Sequence, residues 1–318
     1  TGAFVEEQAQ MLPELVEHCS VDGRLIGVPN MLNIGVLYYR RDLLEMYGFG
    51  EPPRTWFDLE MMATEIQAQE RAAGNIDFWG YLWQGYSAEH LTCNALEWQH
   101  AEGGGLILAA GGQVTVNNAQ TIRALERARQ WIGAISPPSI RMTDEVACEQ
   151  AWLEGRAAFM RLWLGGHPIF EDPKIGDLTG VTVLPRGAAG HAGTLGFWPL
   201  TVRLNTPVLA GAVKLIKEIC APAVQRARAL SMNPTPPTLR ALYDDPAVLA
   251  RFSLYREALA LVEAGGLAIR PAKIAGARYS QVSTAYSTAV AGVLYDSKDA
   301  ATALAELEQR LATLLASH

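Results

Sequence analysis

Short apolar runs alternate with longer stretches of helical spacing along this chain, and glycine, proline and asparagine punctuate them. Residues 6–17 read as a helix, followed by the turn Val21-Asp22-Gly23-Arg24 and a strand over 25–29. Residues 30–33 read as a polar-tipped loop, and the apolar, aromatic run 35–39 as a strand buried on both faces. A helical turn or two over 42–47 ends at Gly48. Pro52-Pro53 keep the preceding helix from continuing, and Thr55 stands where it caps a helix over 56–73, with Asp58 as its capping-box partner. Glycines frame residues 106–110 and 113–116 as a hairpin. Asn117-Asn118 caps a long amphipathic helix to residue 135, and a further helix from Asp144 gives way through Gly155 to a strand over 156–160. Residues 181–185 and 194–202 are predicted strands, and from Pro207 onward the chain is mostly helical, broken at 233–237 and at Arg270-Pro271. Strands alternating with helices predict α/β layers with a helical exterior.

Length turns this pattern into two bodies. At 318 residues the chain exceeds one ordinary core, since domains average about 150 residues. With 49% hydrophobic and 19% charged residues it has the composition of a folded globular protein. The net charge of −7, with no dense Lys/Arg cluster, argues against nucleic acid and against an anionic membrane surface as partners. The first ten residues carry acids instead of a basic leader region. Cys19, Cys93, Cys148 and Cys220 are scattered without CxxC or other metal-ligand spacing, so neither metal nor cofactor is expected.

Familiar catalytic motifs are not found in the sequence: it has no GxSxG, no phosphate-binding P-loop and no HExxH. Gly48-Phe49-Gly50 begins like a dinucleotide fingerprint, but Pro52-Pro53 follow where a helix should open. The acid pairs Asp144/Glu145 and Asp244/Asp245 sit beside helix starts, where the helix dipole favours them. What stands out is a set of aromatic residues beside glycine and polar groups: Trp83-Gln84-Gly85-Tyr86, Arg161-Leu162-Trp163 and Gly196-Phe197-Trp198. A flat apolar ring with polar neighbours suits the C–H face and hydroxyl edge of a sugar, although single tryptophans more often belong to a core.

Read in order, Asp22 to Pro29, Leu37 to Leu44 and Pro52 to Trp56 resemble the run DGKLYGVP, LYYRKDLL and PPKTWDEL of the family-1 extracellular solute-binding proteins, especially their trehalose/maltose branch. Trp83-Gln84-Gly85, Leu91 to Asn94, Val114 to Asn118, Gly155 to Met160, Thr194 to Trp198, Asn233 to Thr235 and Arg270-Pro271 continue the match collinearly over essentially the whole chain. The resemblance implies a periplasmic-binding-protein type (class II) α/β fold, with two lobes and a ligand cleft at the hinge. Family members carry about a hundred further residues before the opening helix, with the export signal and first strands, so the N-terminal lobe is expected to be incomplete here. The lobes are expected to comprise 1–36 with 197–270, and 37–196 with 271–318, with crossings near 33–36, 195–198 and 269–271.

The resemblance also implies a function: an extracytoplasmic receptor, periplasmic or extracellular and with lipid anchoring left open, that captures a di- or oligosaccharide such as trehalose or maltose. It would deliver the sugar, as a monomer, to the membrane permease subunits of an ABC importer, and would not be an enzyme. A polyol or phosphorylated polyol is the alternative ligand, and a carbohydrate hydrolase the alternative class. Carried over by position, the sugar-binding candidates are Asn33, Trp83, Glu89, Trp163, Phe197, Trp198 and Arg270. Asn33 stands where relatives have an aspartate, and its amide still donates and accepts. Arg270 brings a planar fork suited to vicinal hydroxyls. Phe197 replaces a glycine, and Ala88 and His90 replace a tyrosine and a glycine around Glu89, departures that bear on which ligand fits. By the same resemblance Cys93 and Cys148 are expected to form a disulfide, as an oxidising compartment permits.

Overall fold

The computed structural model describes residues 2–165, 167–231 and 233–316, and divides into two compact units. Unit 1 holds the described residues of 1–34, 163–171 and 195–265; unit 2 holds those of 35–162, 172–194 and 266–318. The strands, in chain order, are β1 (Ser20–Val21), β2 (Arg24–Leu25), β3 (Val28–Arg40), β4 (Trp79–Leu82), β5 (Ala157–Trp163), β6 (Thr179–Val183), β7 (Gly193–Leu200) and β8 (Leu267–Ala268). The main sheet runs β4-β5-β3-β7-β8, with β6 also paired to β3.

In unit 1 the predicted turn is a two-residue hairpin between β1 and β2, with Asp22 and Gly23 both at positive φ (50° and 70°), the geometry that matches the right-handed twist of the flanking strands. The N-terminal half of β3 pairs antiparallel with the C-terminal half of β7, Leu32 opposite Phe197, Asn33 opposite Gly196 and Ile34 opposite Leu195, with an irregularity between Pro29 and Met31. Its core gathers Phe4, Met11, Val28, Ile216, Cys220, Leu239 and Leu242. Gln225 joins the pieces: its amide oxygen accepts from the Thr238 backbone N–H at 2.7 Å, while the Thr238 hydroxyl donates to the Pro29 carbonyl at 3.2 Å.

Unit 2 pairs the other half of β3 antiparallel with β6 and runs β4 parallel with β5. The helix Trp56–Ala72 begins at the expected cap: Asp58 N–H donates to Thr55 Oγ1 at 3.1 Å and Thr55 N–H to Asp58 Oδ2 at 2.9 Å. Trp56, Tyr81, Trp98 and Trp131 form a buried aromatic cluster, Trp56 and Trp131 with centroids 5.3 Å apart and Trp98 set edge-on to Trp131 at 5.4 Å.

Several local expectations are corrected. The helix predicted over 6–17 is two helices, Val5–Gln8 and Pro13–His18, because proline lacks an N–H and its ring turns Leu12 out of helical geometry (φ −58°, ψ 124°). Residues 30–33 lie inside β3 and not in a loop; burial and the sheet ladder override their polar character. The hairpin over 106–116 reduces to a single bridge between Leu108 and Val114, glycines having little side chain to pack on a ladder. The helix from Ala119 stops at Trp131 instead of residue 135, since Ile132 is extended and Gly133 takes φ 82°.

The bond expected between Cys93 and Cys148 is also corrected: both are free and buried, as are Cys19 and Cys220. Burial holds the Cys93 and Cys148 thiols neutral, pushing each up to about 12. Among the described residues no helix is long and apolar enough to cross a membrane, and no group of three or more His, Cys, Asp or Glu is placed to hold a metal ion.

Candidate functional site

Three strand segments of unit 1 bring Asn33, Trp163 and Gly196 together. Asn33 is 6% exposed, and its carboxamide spans to the loop after β5: Nδ2 donates to the Gly165 carbonyl and Oδ1 accepts from the Gly165 N–H, both at 3.2 Å. Oδ1 accepts as well from the Ile34 N–H at 3.1 Å. This reciprocal pair uses both ends of the amide, which an aspartate could not do because it donates nothing when ionised.

Gly196 lies opposite Asn33 in the ladder, and the Trp163 indole lies over it. A Cβ built at position 196 would stand 2.9 Å from Trp163 Cζ3 and 3.4 Å from Asn33 Cβ, so only glycine lets the ring approach the strand this closely. Trp198, two residues on, shares that face of β7 by the pleat and is 65% exposed. Phe197 falls on the other face, where its ring stacks on His18 with centroids 6.4 Å apart. The unit 1 face thus offers a partly buried indole, a carboxamide locked in one orientation and a solvent-exposed indole.

In unit 2, Glu89 opens the helix Glu89–Ala101 and is tied to three donors. Arg270 Nη1 donates to its Oε1 at 2.6 Å, the Tyr279 hydroxyl donates to the same oxygen, and the Ser283 hydroxyl donates to Oε2 at 2.5 Å. Burial works against the charge of the Glu89 carboxylate, but the hydrogen bonds from Ser283 and Tyr279 and the nearby Arg270 charge outweigh it, so the group is held below its ordinary value. Tyr279 and Ser283 escaped the sequence reading. Their only signal is the i, i+4 spacing that sets them on one side of the helix Tyr279–Tyr295. The adjacent His90 pairs through Nδ1 with Glu145 Oε2 at 2.5 Å, and that hydrogen bond outweighs burial and raises its value.

Trp83 is placed differently from the others. It is fully buried in unit 2, donates through Nε1 to the Ser136 hydroxyl at 3.1 Å and meets Trp98 edge-on at 5.0 Å. Nearby lies a buried polar group whose pairing the sequence reading did not reach: Arg161, 1% exposed, donates through Nε and Nη2 to the two oxygens of Glu97, 0% exposed, and through Nη1 to the Gln84 amide oxygen. The pairing of Glu97 with Arg161 has no local sequence signal, because the two residues come from segments far apart in the chain.

An α/β chain in two units, with polar and aromatic side chains gathered on strand ends, is of the periplasmic-binding-protein type. Residues 19–226 match the bacterial extracellular solute-binding proteins, and the chain belongs to that family, whose members bind solutes and are not enzymes. A probable ABC transporter-binding protein of Deinococcus radiodurans (strain R1) is 38% identical over 305 residues, 95% of this chain and 72% of that protein. The maltodextrin-binding protein MdxE of Bacillus subtilis (strain 168) is 23% identical over 154 residues, 45% of this chain and 33% of that one. Among solved structures, maltose-bound MalE3 of T. maritima has a TM-score of 0.86 at 30% identity, over 98% of this chain and 79% of that one. A solute-binding protein of Thermotoga lettingae bound with α-D-tagatose has a TM-score of 0.84 at 21% identity, over the same shares, a likeness of fold alone.

Proposed function

We propose that this protein captures a neutral carbohydrate, a di- or oligosaccharide such as maltose or trehalose, and delivers it to the permease subunits of an ABC importer outside the cytoplasm. The observation that carries the reading is the unit 1 face in which Trp163 overlies Gly196 beside the locked carboxamide of Asn33, with the exposed ring of Trp198 on the same strand. Indoles suit the apolar faces of pyranose rings, and a carboxamide serves hydroxyls as donor and acceptor at once. The probable ABC transporter-binding protein and the maltose-bound relative, at 38% and 30% identity, support the same assignment. Arg270 is charge-balanced by Glu89, which weighs against a phosphorylated polyol and for an uncharged ligand. The protein acts as a monomer in this reading.

A thermal-shift panel of maltose, trehalose, longer maltodextrins, mannitol and a polyol phosphate tests it. A ligand at a hundred times its dissociation constant adds about 2.7 kcal/mol, which raises the melting temperature by about 5 °C for a protein of this size. A shift with maltose or trehalose that mannitol and the phosphate ester do not reproduce is the expected result. A shift confined to the polyol or its phosphate would replace the sugar assignment.

A further inference from the structure

Three strands, β3, β5 and β7, pass from one unit's residues to the other's, at 34/35, 162/163 and 194/195. On the unit 2 side of all three passages the same carboxylate is found. Glu97 projects from the helix Glu89–Ala101 and accepts from Arg161 of β5, Nε to Oε2 at 3.0 Å and Nη2 to Oε1 at 2.5 Å. Its Oε1 accepts again from the backbone N–H of Thr194 in β7 at 3.0 Å. Gly35 of β3 is pressed against the pair: a Cβ there would collide with the Glu97 carboxylate and stand 2.5 Å from Arg161 Nη2. The Thr194 hydroxyl adds a bond to the Cys93 carbonyl on the same helix at 2.9 Å.

Each of these anchored residues lies two positions along its strand from a residue of the unit 1 face: Gly35 from Asn33, Arg161 from Trp163, Thr194 from Gly196. Two positions is one period of the pleat, so anchor and site residue share a face of their strand. A rigid buried ion pair that sets the exit of each strand therefore sets the position of the residue one pleat further on. We propose that Glu97, acting through Arg161 and the Thr194 backbone, is a positioning residue of the solute site, fixing the strand ends that present Asn33, Trp163 and Gly196. The inference rests on the assignment of those residues to solute binding.

The pair could instead serve stability alone, and the test separates the two. In the full chain, Glu97→Gln keeps the side chain's shape and removes its charge, and Arg161→Lys keeps the charge and removes the bidentate fork, a milder change should the first variant fold poorly. The measurements are calorimetric titration with the tightest-binding sugar of the panel, well below the melting temperature, together with amide exchange at Thr194 and the emission of Trp163, obtained by difference from the matching Trp163→Phe protein. Positioning predicts about a tenfold loss of affinity in a folded variant, faster exchange at Thr194 and a shifted Trp163 emission before any ligand is added. Unchanged affinity and emission with only a lowered melting temperature would overturn it. Should the parent protein bind no sugar, the carbohydrate assignment fails by itself, and the ligand-free exchange and emission still decide whether Glu97 holds these strand ends.

Discussion

Trp198 is the candidate whose role depends most on where its ring points. A buried tryptophan cut to alanine costs about 3–5 kcal/mol of stability, whereas an exposed side chain usually changes stability by no more than about 0.5 kcal/mol. At 65% exposure Trp198 falls in the second case. Trp198→Ala is therefore expected to leave the melting curve nearly unchanged and to weaken sugar binding by about 2 kcal/mol, roughly thirtyfold in dissociation constant. Calorimetric titration and a melting curve on one preparation check both halves, and full affinity in the variant would remove Trp198 from the site. Glu89 gives a prediction in pH. Its folded-state value is lowered, so the stability it contributes is present above the ordinary carboxylate range and is lost as pH falls through the folded value. His90, raised by Glu145, has the opposite sign: its contribution is present at low pH and is lost as pH rises through its folded value. Melting temperatures of Glu89→Gln and His90→Gln against pH are expected to differ from the parent in these opposite windows; parallel curves throughout would show that neither group is linked to folding. Asn33 was legible as a candidate through the family resemblance, and Trp198 through that resemblance and its aromatic, glycine-flanked segment. Their different states, one locked by Gly165 and one in solvent, were not, because exposure depends on segments remote in sequence.

At the scale of elements, local signals succeeded where a single short-range physical cause decides. The Thr55 cap with Asp58 and the Asp22-Gly23 hairpin turn each depend on a few adjacent residues, and both form as expected. Thr55→Ala is expected to cost about 1 kcal/mol by freeing the first N–H groups of the helix Trp56–Ala72, with no loss of sugar affinity. Chemical denaturation with and without ligand measures both, and a stability change under a few tenths of a kcal/mol would show that another group takes over the cap. Local signals misled where the sheet had the larger say. Residues 30–33 look like a turn by composition, yet they complete β3 because Leu32, Asn33 and Ile34 find partners on β7 more than a hundred and sixty residues away. Pro13 cuts the other way: a local rule, overlooked within an apolar-periodic stretch, divided a helix.

For the molecule as a whole, the four cysteines offer a test that reaches both units. Cys19 and Cys220 lie in unit 1 and Cys93 and Cys148 in unit 2, all buried and in no disulfide. Burial raises Cys19, Cys93 and Cys148 to about 12, which leaves almost no thiolate near neutral pH, so thiol reagents are expected to react slowly with the native protein and to find four thiols once it is unfolded. A count of two after unfolding would mean that a disulfide forms after all. The sequence by itself determined the α/β class and, through ordered motifs along nearly the whole chain, the resemblance to the extracellular solute-binding proteins, because turn residues, caps and apolar periods act over a few neighbouring positions. Tertiary structure alone decided that Trp83 lies in a core while Trp198 meets solvent, that Glu89 gathers Arg270, Tyr279 and Ser283, and that Glu97 and Arg161 form a buried pair beside three strand passages. Each of those facts needs partners that lie far apart in the chain, and no local pattern of residue types encodes which distant segment will supply them.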